Sequence, residues 1–267
     1  MLFTTDKKQL LKHFLKDPVL FAYHIGDLDN FYFPDCQWAV THNNRSAIED
    51  ALLIYHGCET PTLLAFGLTE TFADLLADYL PVAPRRFYCH FQRQHRTVFR
   101  RFANETPLGA HLKMSLDTGS FDRSRWSIAD NASDTIARLS EADETALREL
   151  YATAYPDNYF VSRMLQTGKY FGVREAGRLA AVAGVHVSSD RDKIAVLGNI
   201  TTHPEHRGRG LATRLTTRLC TELVNEGKQV CLNVKADNYA AIRCYQKLGF
   251  VKIHEYKEAL FELVPPG

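Results

Sequence analysis

The sequence predicts an α+β chain of alternating helices and strands (α/β) in two parts, a domain over residues 126–267 preceded by a smaller one over residues 1–125. Three observations predict it. Apolar residues recur with helical and strand periods in turn through both halves. A stretch richer in Gly, Ser, Asp and Asn, residues 117–134, separates the halves, although Trp126 and Ile128 within it favour packing over free swinging. A chain of 267 residues, 45% hydrophobic and 24% charged, suits one large or two small folded domains and excludes a fibrous or disordered chain.

A first helix fits residues 6–16, with Leu10, Leu11, Phe14 and Leu15 on one face, Thr5 or Asp6 as its cap and Asp17-Pro18 as its stop. Extended segments follow at Trp38–Val40, Ala51–Tyr55 and Thr62–Phe66. Thr69 is placed to cap a helix whose buried stripe is Phe72, Leu75, Leu76, Tyr79 and Leu80, and which Pro81 and Pro84 end. Phe87–Phe91 reads as a strand, residues 93–102 as a helix and His111–Leu116 as a strand. The arginines at 85, 86, 93, 96, 100 and 101 read as a solvated face, and Phe87, Tyr88, Phe91, Phe99 and Phe102 beside them as core.

In the second half Thr135–Leu139 is a short strand. Ser140 then caps a helix with Asp143 at its third position, a capping box in which Asp replaces Glu. Leu147, Leu150, Tyr151 and Ala154 form that helix's apolar face and Pro156 ends it; Phe160–Leu165 is a second short helix. Lys169–Arg174 and Leu179–Ser188 make a hairpin around Glu175-Ala176-Gly177, and Ile194–Thr202 is the next strand. Residues 210–226 form a long helix on which Leu211, Leu215, Leu219 and Leu223 share a face, closed by Gly227. Val230–Val234 is a strand, Asn238–Leu248 a helix, and Phe250–Glu255 and Ala259–Val264 the last two strands.

Two motifs carry chemistry. Between the 194–202 strand and the long helix runs Arg207-Gly208-Arg209-Gly210-Leu211-Ala212. Gly208 and Gly210 let the backbone turn sharply and approach a ligand. The first helical turn offers unpaired N–H groups and the positive end of a dipole, which suits a pyrophosphate, with Arg207 and Arg209 at the rim. The loop lacks the Lys-Ser/Thr of a P-loop and is too short for a dinucleotide GxGxxG. In the second motif, Asn238 to Phe250, Asn238 is placed to cap a helix and to reach a ligand between strands, while Ala241, Tyr245 and Leu248 share one face.

Together these motifs resemble the GNAT superfamily, the acyl-CoA-dependent N-acyltransferases. The loop is similar to that family's Arg/Gln-x-x-Gly-x-Gly/Ala turn, and residues 238–250 to its Asn-x-x-Ala-x-x-x-Tyr-x-Lys-x-Gly-Phe signature. The likeness covers residues 135–264 and is nearest the branch containing glycine N-acyltransferase-like proteins, some of which resemble a tandem with a degenerate first copy. It implies a mixed central sheet flanked by helices, its middle strands at 194–202 and 229–234 splayed around the pantetheine arm. Acetyl-CoA is then the acyl donor. Ile200 and Thr202, with Thr201 between them, meet its arm through backbone; Arg207, Gly208, Arg209, Gly210, Leu211 and Ala212 hold its pyrophosphate; Asn238 and Tyr245 face it. Direct transfer to an amine releases a thiolate, which the Tyr245 hydroxyl is placed to protonate. The alternative is a core tyrosine that only packs. The family's strand carboxylate is missing, since Asn199 and Thr201 are all that the 194–202 strand offers on its polar side. His186 is a candidate base by its ordinary pKa, or else a structural histidine.

Other classes are excluded as expectations. Lys plus Arg is 32 against 31 Asp plus Glu, so a nucleic-acid partner is not predicted. Six cysteines without a CxxC pair suit neither a disulfide scaffold nor a zinc finger, and Cys231 and Cys244 read as small core residues. His203 and His206 flank a Pro204-Glu205 turn with no further ligand cluster, so no metal is expected. The charged first segment, and the lack of an apolar run of about 18 residues, predict no membrane association and a cytoplasmic location. The reading is an acetyl-CoA-dependent N-acetyltransferase of a small-molecule primary amine, acting as monomer or homodimer. A protein or peptide amine, or a non-catalytic acyl-CoA sensor, is the alternative.

Overall fold

The computed structural model describes residues 1–121, 135–156 and 158–264. The boundary expected at 125/126, with Trp126 and Ile128, lies outside the described residues. The chain divides into two compact units: Met1–Lys113 with Val234–Asp237 and the stretch from Ile253, and Met114–Asn233 with Asn238–Lys252.

The first unit opens with β1 (Leu2–Phe3), α1 (Lys7–Phe14) and α2 (Ala22–Asp27), continues with β2 (Cys36–His42), β3 (Ile48–Tyr55), β4 (Thr62–Ala65), α3 (Phe72–Tyr79), β5 (Arg86–Phe91) and α4 (Arg96–Phe99), and enters β6 (Ala103–Leu116). Strands β1 to β4 pair antiparallel in order, and β4 and β5 pair parallel from Thr62↔Tyr88 to Ala65↔Phe91, with α3 as the crossover that a parallel pair requires. Asp6 caps α1, accepting from the N–H groups of Lys8 and Gln9 at 3.0 Å. The α3 stripe Phe72, Leu75, Leu76, Tyr79 and Leu80 is fully buried.

Three expectations change here. Thr69 does not cap α3: its hydroxyl and that of Thr71 donate to the buried Asp50 carboxylate at 2.6 to 2.8 Å. The helix expected over 93–102 is a single-turn start plus the short α4, where Phe99 stacks on Phe261 at 4.4 Å. Tyr88 is exposed rather than core, because the strand period that turns Phe87, Cys89 and Phe91 inward turns it outward. Helix α2 has no clear sequence period and was not expected.

The second unit runs β7 (Ile136–Arg138), α5 (Glu144–Ala154), β8 (Phe171–Glu175), β9 (Arg178–Ser189), β10 (Ile194–Thr202), α6 (Leu211–Asn225), β11 (Gln229–Lys235), α7 (Tyr239–Lys247) and the start of β12 (Phe250–Leu263), which from Ile253 onward belongs to the first unit. The Ser140 capping box forms, with Ser140 N–H donating to Asp143 at 2.9 Å. The β8–β9 hairpin turns through Ala176 and Gly177, both at positive φ. Strands β7 to β10 pair antiparallel, and β10 pairs parallel with β11 across α6. The two strands expected at the end are one. No Gly, Pro, Asn or Asp lies between Glu255 and Ala259 to break it, and Lys257↔Phe91 to Glu262↔Arg86 form a continuous ladder with β5, all of it within the first unit.

Candidate active site

Strand β10 carries the site. Its parallel pairing with β11 ends at Leu197↔Leu232, although β10 continues to Thr202. The two strands part there, while β10 stays paired to β9 through Gly198↔Gly184, Thr201↔Val182 and Thr202↔Ala181. Between those pairs Asn199 and Ile200 stand opposite Ala183 alone, a bulge, and Asn199 takes φ +56°. A second bulge on β9 makes His186 the extra residue between Val196↔Val187 and Leu197↔Val185. A Cβ at Gly184 would fall inside the Tyr170 ring and one at Gly198 inside the His186 ring, so both positions need glycine for close approach.

The buried stripe Leu211, Leu215, Leu219 and Leu223 fixes α6 with its N-terminus at the end of β10. Gly208 and Gly210 hold φ +78° and +76°, and a Cβ at either would meet nothing within 4 Å. Gly210 is the N-cap and supplies no side-chain cap, so first-turn N–H groups face open space with the dipole behind them. An uncapped helix start of this kind suits an anionic group. Both arginines of the turn brace it. Arg209 Nη1 lies 2.6 Å from Glu175 Oε1, His206 Nδ1 lies 3.2 Å from Glu175 Oε2, and Arg207 Nε donates to the Thr202 carbonyl at 3.2 Å. Glu175 escaped the sequence reading because a hairpin-turn glutamate has no spacing that marks it.

Along β10 Ile200 and Thr202 are half-buried and Thr201 is buried; at the helix start Leu211 is buried and Ala212 half-buried. Asn238 accepts from the Ala241 N–H at 3.1 Å and so caps α7, while Cys244 Sγ lies 3.1 Å from Thr213 Oγ1 and ties α7 to α6. Tyr245 is buried, its ring against Phe250 at 5.9 Å. Burial pushes its hydroxyl pKa upward, with smaller contributions from Cys244 and Tyr155, so it stays protonated at neutral pH. His186 is half-buried and meets the Tyr159 ring at 6.1 Å.

Sequence reasoning missed the buried tyrosines around Asn199. Tyr151 Oη donates to the Asn199 carbonyl at 3.2 Å, Asn199 Nδ2 donates to Tyr170 Oη at 3.0 Å, and Tyr170 Oη donates to the Val185 carbonyl at 3.1 Å. It also missed Asn233, one residue past the last β10–β11 pair, whose Nδ2 is buried without a hydrogen-bond partner among the described residues. His203, Glu205 and His206 come closer than the turn argument foresaw, with ligand-type atoms within 4.8 Å of one another. Within that group His203 Nδ1 accepts from the Glu205 N–H at 3.4 Å, and His206 is paired to Glu175. Among the described residues no disulfide joins the six cysteines; Cys231 is buried and Cys244 half-buried. Among the described residues no helix is long and apolar enough to cross a membrane.

Comparison with known proteins meets this geometry. Residues 170–258 match the FR47-like protein family. The ribosomal protein bS18-alanine N-acetyltransferase of Escherichia coli is 34% identical over 121 residues, covering 43% of this chain and 80% of that one. An L-amino acid N-acyltransferase of Escherichia coli is 35% identical over 65 residues, covering 24% of this chain and 38% of its own length. A tandem GNAT protein from the clavulanic acid biosynthesis pathway superposes with a TM-score of 0.64 at 16% identity, over 100% of this chain and 99% of that one. The chain therefore belongs to the GNAT superfamily and is an acetyl-CoA-dependent N-acetyltransferase.

Proposed function

We propose that the protein transfers the acetyl group of acetyl-CoA to the primary amine of a small molecule by direct attack in a ternary complex. The observation that carries this is the open, uncapped start of α6 at Gly208 and Gly210, set where β10 and β11 part. The coenzyme supplies an activated thioester. Backbone N–H groups from Arg207 to Ala212 hold its diphosphate, and the free edge of β10 at Ile200, Thr201 and Thr202 aligns its arm. A backbone N–H near Ile200 stabilises charge developing on the thioester oxygen. Tyr245 Oη, protonated at neutral pH, donates its proton to the departing sulfur. Asn238 both caps α7 and lines the coenzyme side. His186, held out of register by its bulge, takes the proton of the attacking amine. Thiol release from acetyl-CoA against a panel of small primary amines tests the reading, and release with none of them overturns it.

A protein or peptide amine is the second reading, favoured by the relative that acts on an alanine of bS18. Peptides with free N-termini in the same assay separate the two.

We also infer that residues 1–125 and 126–267 are tandem copies, the first degenerate, in the manner of the glycine N-acyltransferase-like branch. Each half of the chain orders its elements as strand, helix, short helical segment, three strands, helix, strand, helix, strand, and each sets its parallel pair across the helix that follows the three strands. In the first unit the turn before α3 has neither arginines nor a Gly-x-Gly, and the Asp50 carboxylate already takes the Thr69 and Thr71 hydroxyls. An acidic group there repels a diphosphate. The protein is read as cytoplasmic.

A further inference from the structure

Among the described residues four non-glycines have positive φ: Ser46, Ala176, Lys193 and Asn199. The first three lie in turns between strands, where such backbone is ordinary. Asn199 lies inside a strand. Asn is among the residues that tolerate this conformation best, yet an outlier within a ladder persists only where its surroundings over-determine it. Here they do. Tyr151 from α5 holds the Asn199 carbonyl, and Tyr170, at the entry to β8, holds the Asn199 side chain while bonded to Val185 of β9. Tyr170 and Asn199 are buried, and Tyr151 is 2% exposed, so these bonds form out of water, where losing one is expensive.

The bulge has a geometric consequence. Two residues of β10 oppose one of β9, so the backbone beyond Asn199 is displaced by one residue relative to a regular ladder. Which peptide groups of Ile200 and Thr202 face the side that β11 has left is thereby decided. We propose that the Tyr151–Asn199–Tyr170 network fixes this bulge and so sets the β10 edge for the acyl-thioester arm, making all three positioning residues; the proposal rests on the coenzyme reading given above. No side chain of the three need touch the coenzyme.

The test compares Asn199→Gly, Asn199→Ala and Tyr151→Phe in the full chain, by calorimetric coenzyme A affinity, by KM for acetyl-CoA against kcat, and by thermal unfolding. Both Asn199 variants lose the bond to Tyr170, but glycine adopts the left-handed conformation freely, so Asn199→Gly is expected to weaken coenzyme binding several-fold less than Asn199→Ala. Asn199→Ala disfavours that conformation and Tyr151→Phe frees the carbonyl. Both are expected to weaken coenzyme binding and raise KM for acetyl-CoA by about tenfold or more, in line with the penalty for small misplacements of bound groups. A folded Asn199→Ala or Tyr151→Phe with wild-type affinity and KM overturns the proposal, as do Gly and Ala variants that are equally impaired. Should Asn199→Ala not fold, Tyr151→Phe decides alone. Wild-type protein that binds no coenzyme A overturns the coenzyme reading itself, and this proposal with it.

Discussion

The two glycines at the ends of α6 permit a matched experiment. Gly210 and Gly227 have φ of +76° and +75°, and a Cβ at either meets nothing within 4 Å. Replacing either with alanine therefore introduces no clash and changes only backbone preference. An L-residue in the left-handed region costs about 1–2 kcal/mol. For a protein of this size that lowers Tm by roughly 2–8 °C, at about 2–4 °C per kcal/mol. Gly210→Ala and Gly227→Ala should fall together on this measure. They should separate on coenzyme A affinity, because on the proposed reading the new methyl at Gly210 stands where the diphosphate meets the helix start. Losing one charge-assisted hydrogen bond there costs about 1.5–3 kcal/mol, or roughly ten- to a hundredfold in Kd. Thermal unfolding and calorimetry on both variants provide the readout. Equal weakening of coenzyme binding by the two, or none by Gly210→Ala, refutes the cradle.

Tyr245→Phe should lower kcat by about 10²–10⁴-fold while coenzyme A affinity stays near wild type, as loss of an acid does; unchanged turnover removes Tyr245 from the chemistry. Calorimetry should give one coenzyme A per chain, and a second site abolished by changes in the first unit contradicts its degeneracy. Burial holds His13 and His111 at about 4 and pushes His24 well below the 6.5 of a free histidine. The unfolded chain therefore binds protons at these positions first, and stability present above about pH 6.5 is lost as pH falls towards 4. His111→Gln should flatten the fall in Tm over that window, and a Tm that rises as pH drops there contradicts the assignment.

The parts of the fold legible in the sequence are those where one side-chain period dominates. The α6 leucines, the Ser140–Asp143 box and the Ala176-Gly177 turn each state their own structure, because the local interaction and the global packing agree. Where tertiary context decides, the sequence is mute. Helix α2 buries residues of mixed type, Ala22, His24, Ile25, Gly26 and Asp27, with no apolar stripe to mark it. Thr69 looks like a cap until Asp50, nineteen positions earlier, comes close enough to accept its hydroxyl's hydrogen bond. Strand β12 reads as two because its middle carries charge, yet Lys257 and Glu258 simply continue the ladder with β5.

The same division runs through the site. The glycine-arginine turn and the Asn238–Phe250 signature are contiguous in sequence, so they are readable there. The groups that aim them are not contiguous. Glu175 reaches Arg209 from a hairpin thirty-four positions away, and Tyr151 reaches Asn199 across forty-eight. Both bring an ordinary residue type to an ordinary-looking position, and neither acts by reactivity. In a transferase whose donor lies against a strand edge, the register of that edge is as much a determinant of rate as any acid or base, since reacting atoms must be held within a fraction of an ångström. The missing carboxylate on β10 is then less of an anomaly. A strand whose polar position is spent on shaping the backbone has no side chain left for proton transfer, and the proposed reaction assigns that task to His186, the extra residue at the β9 bulge.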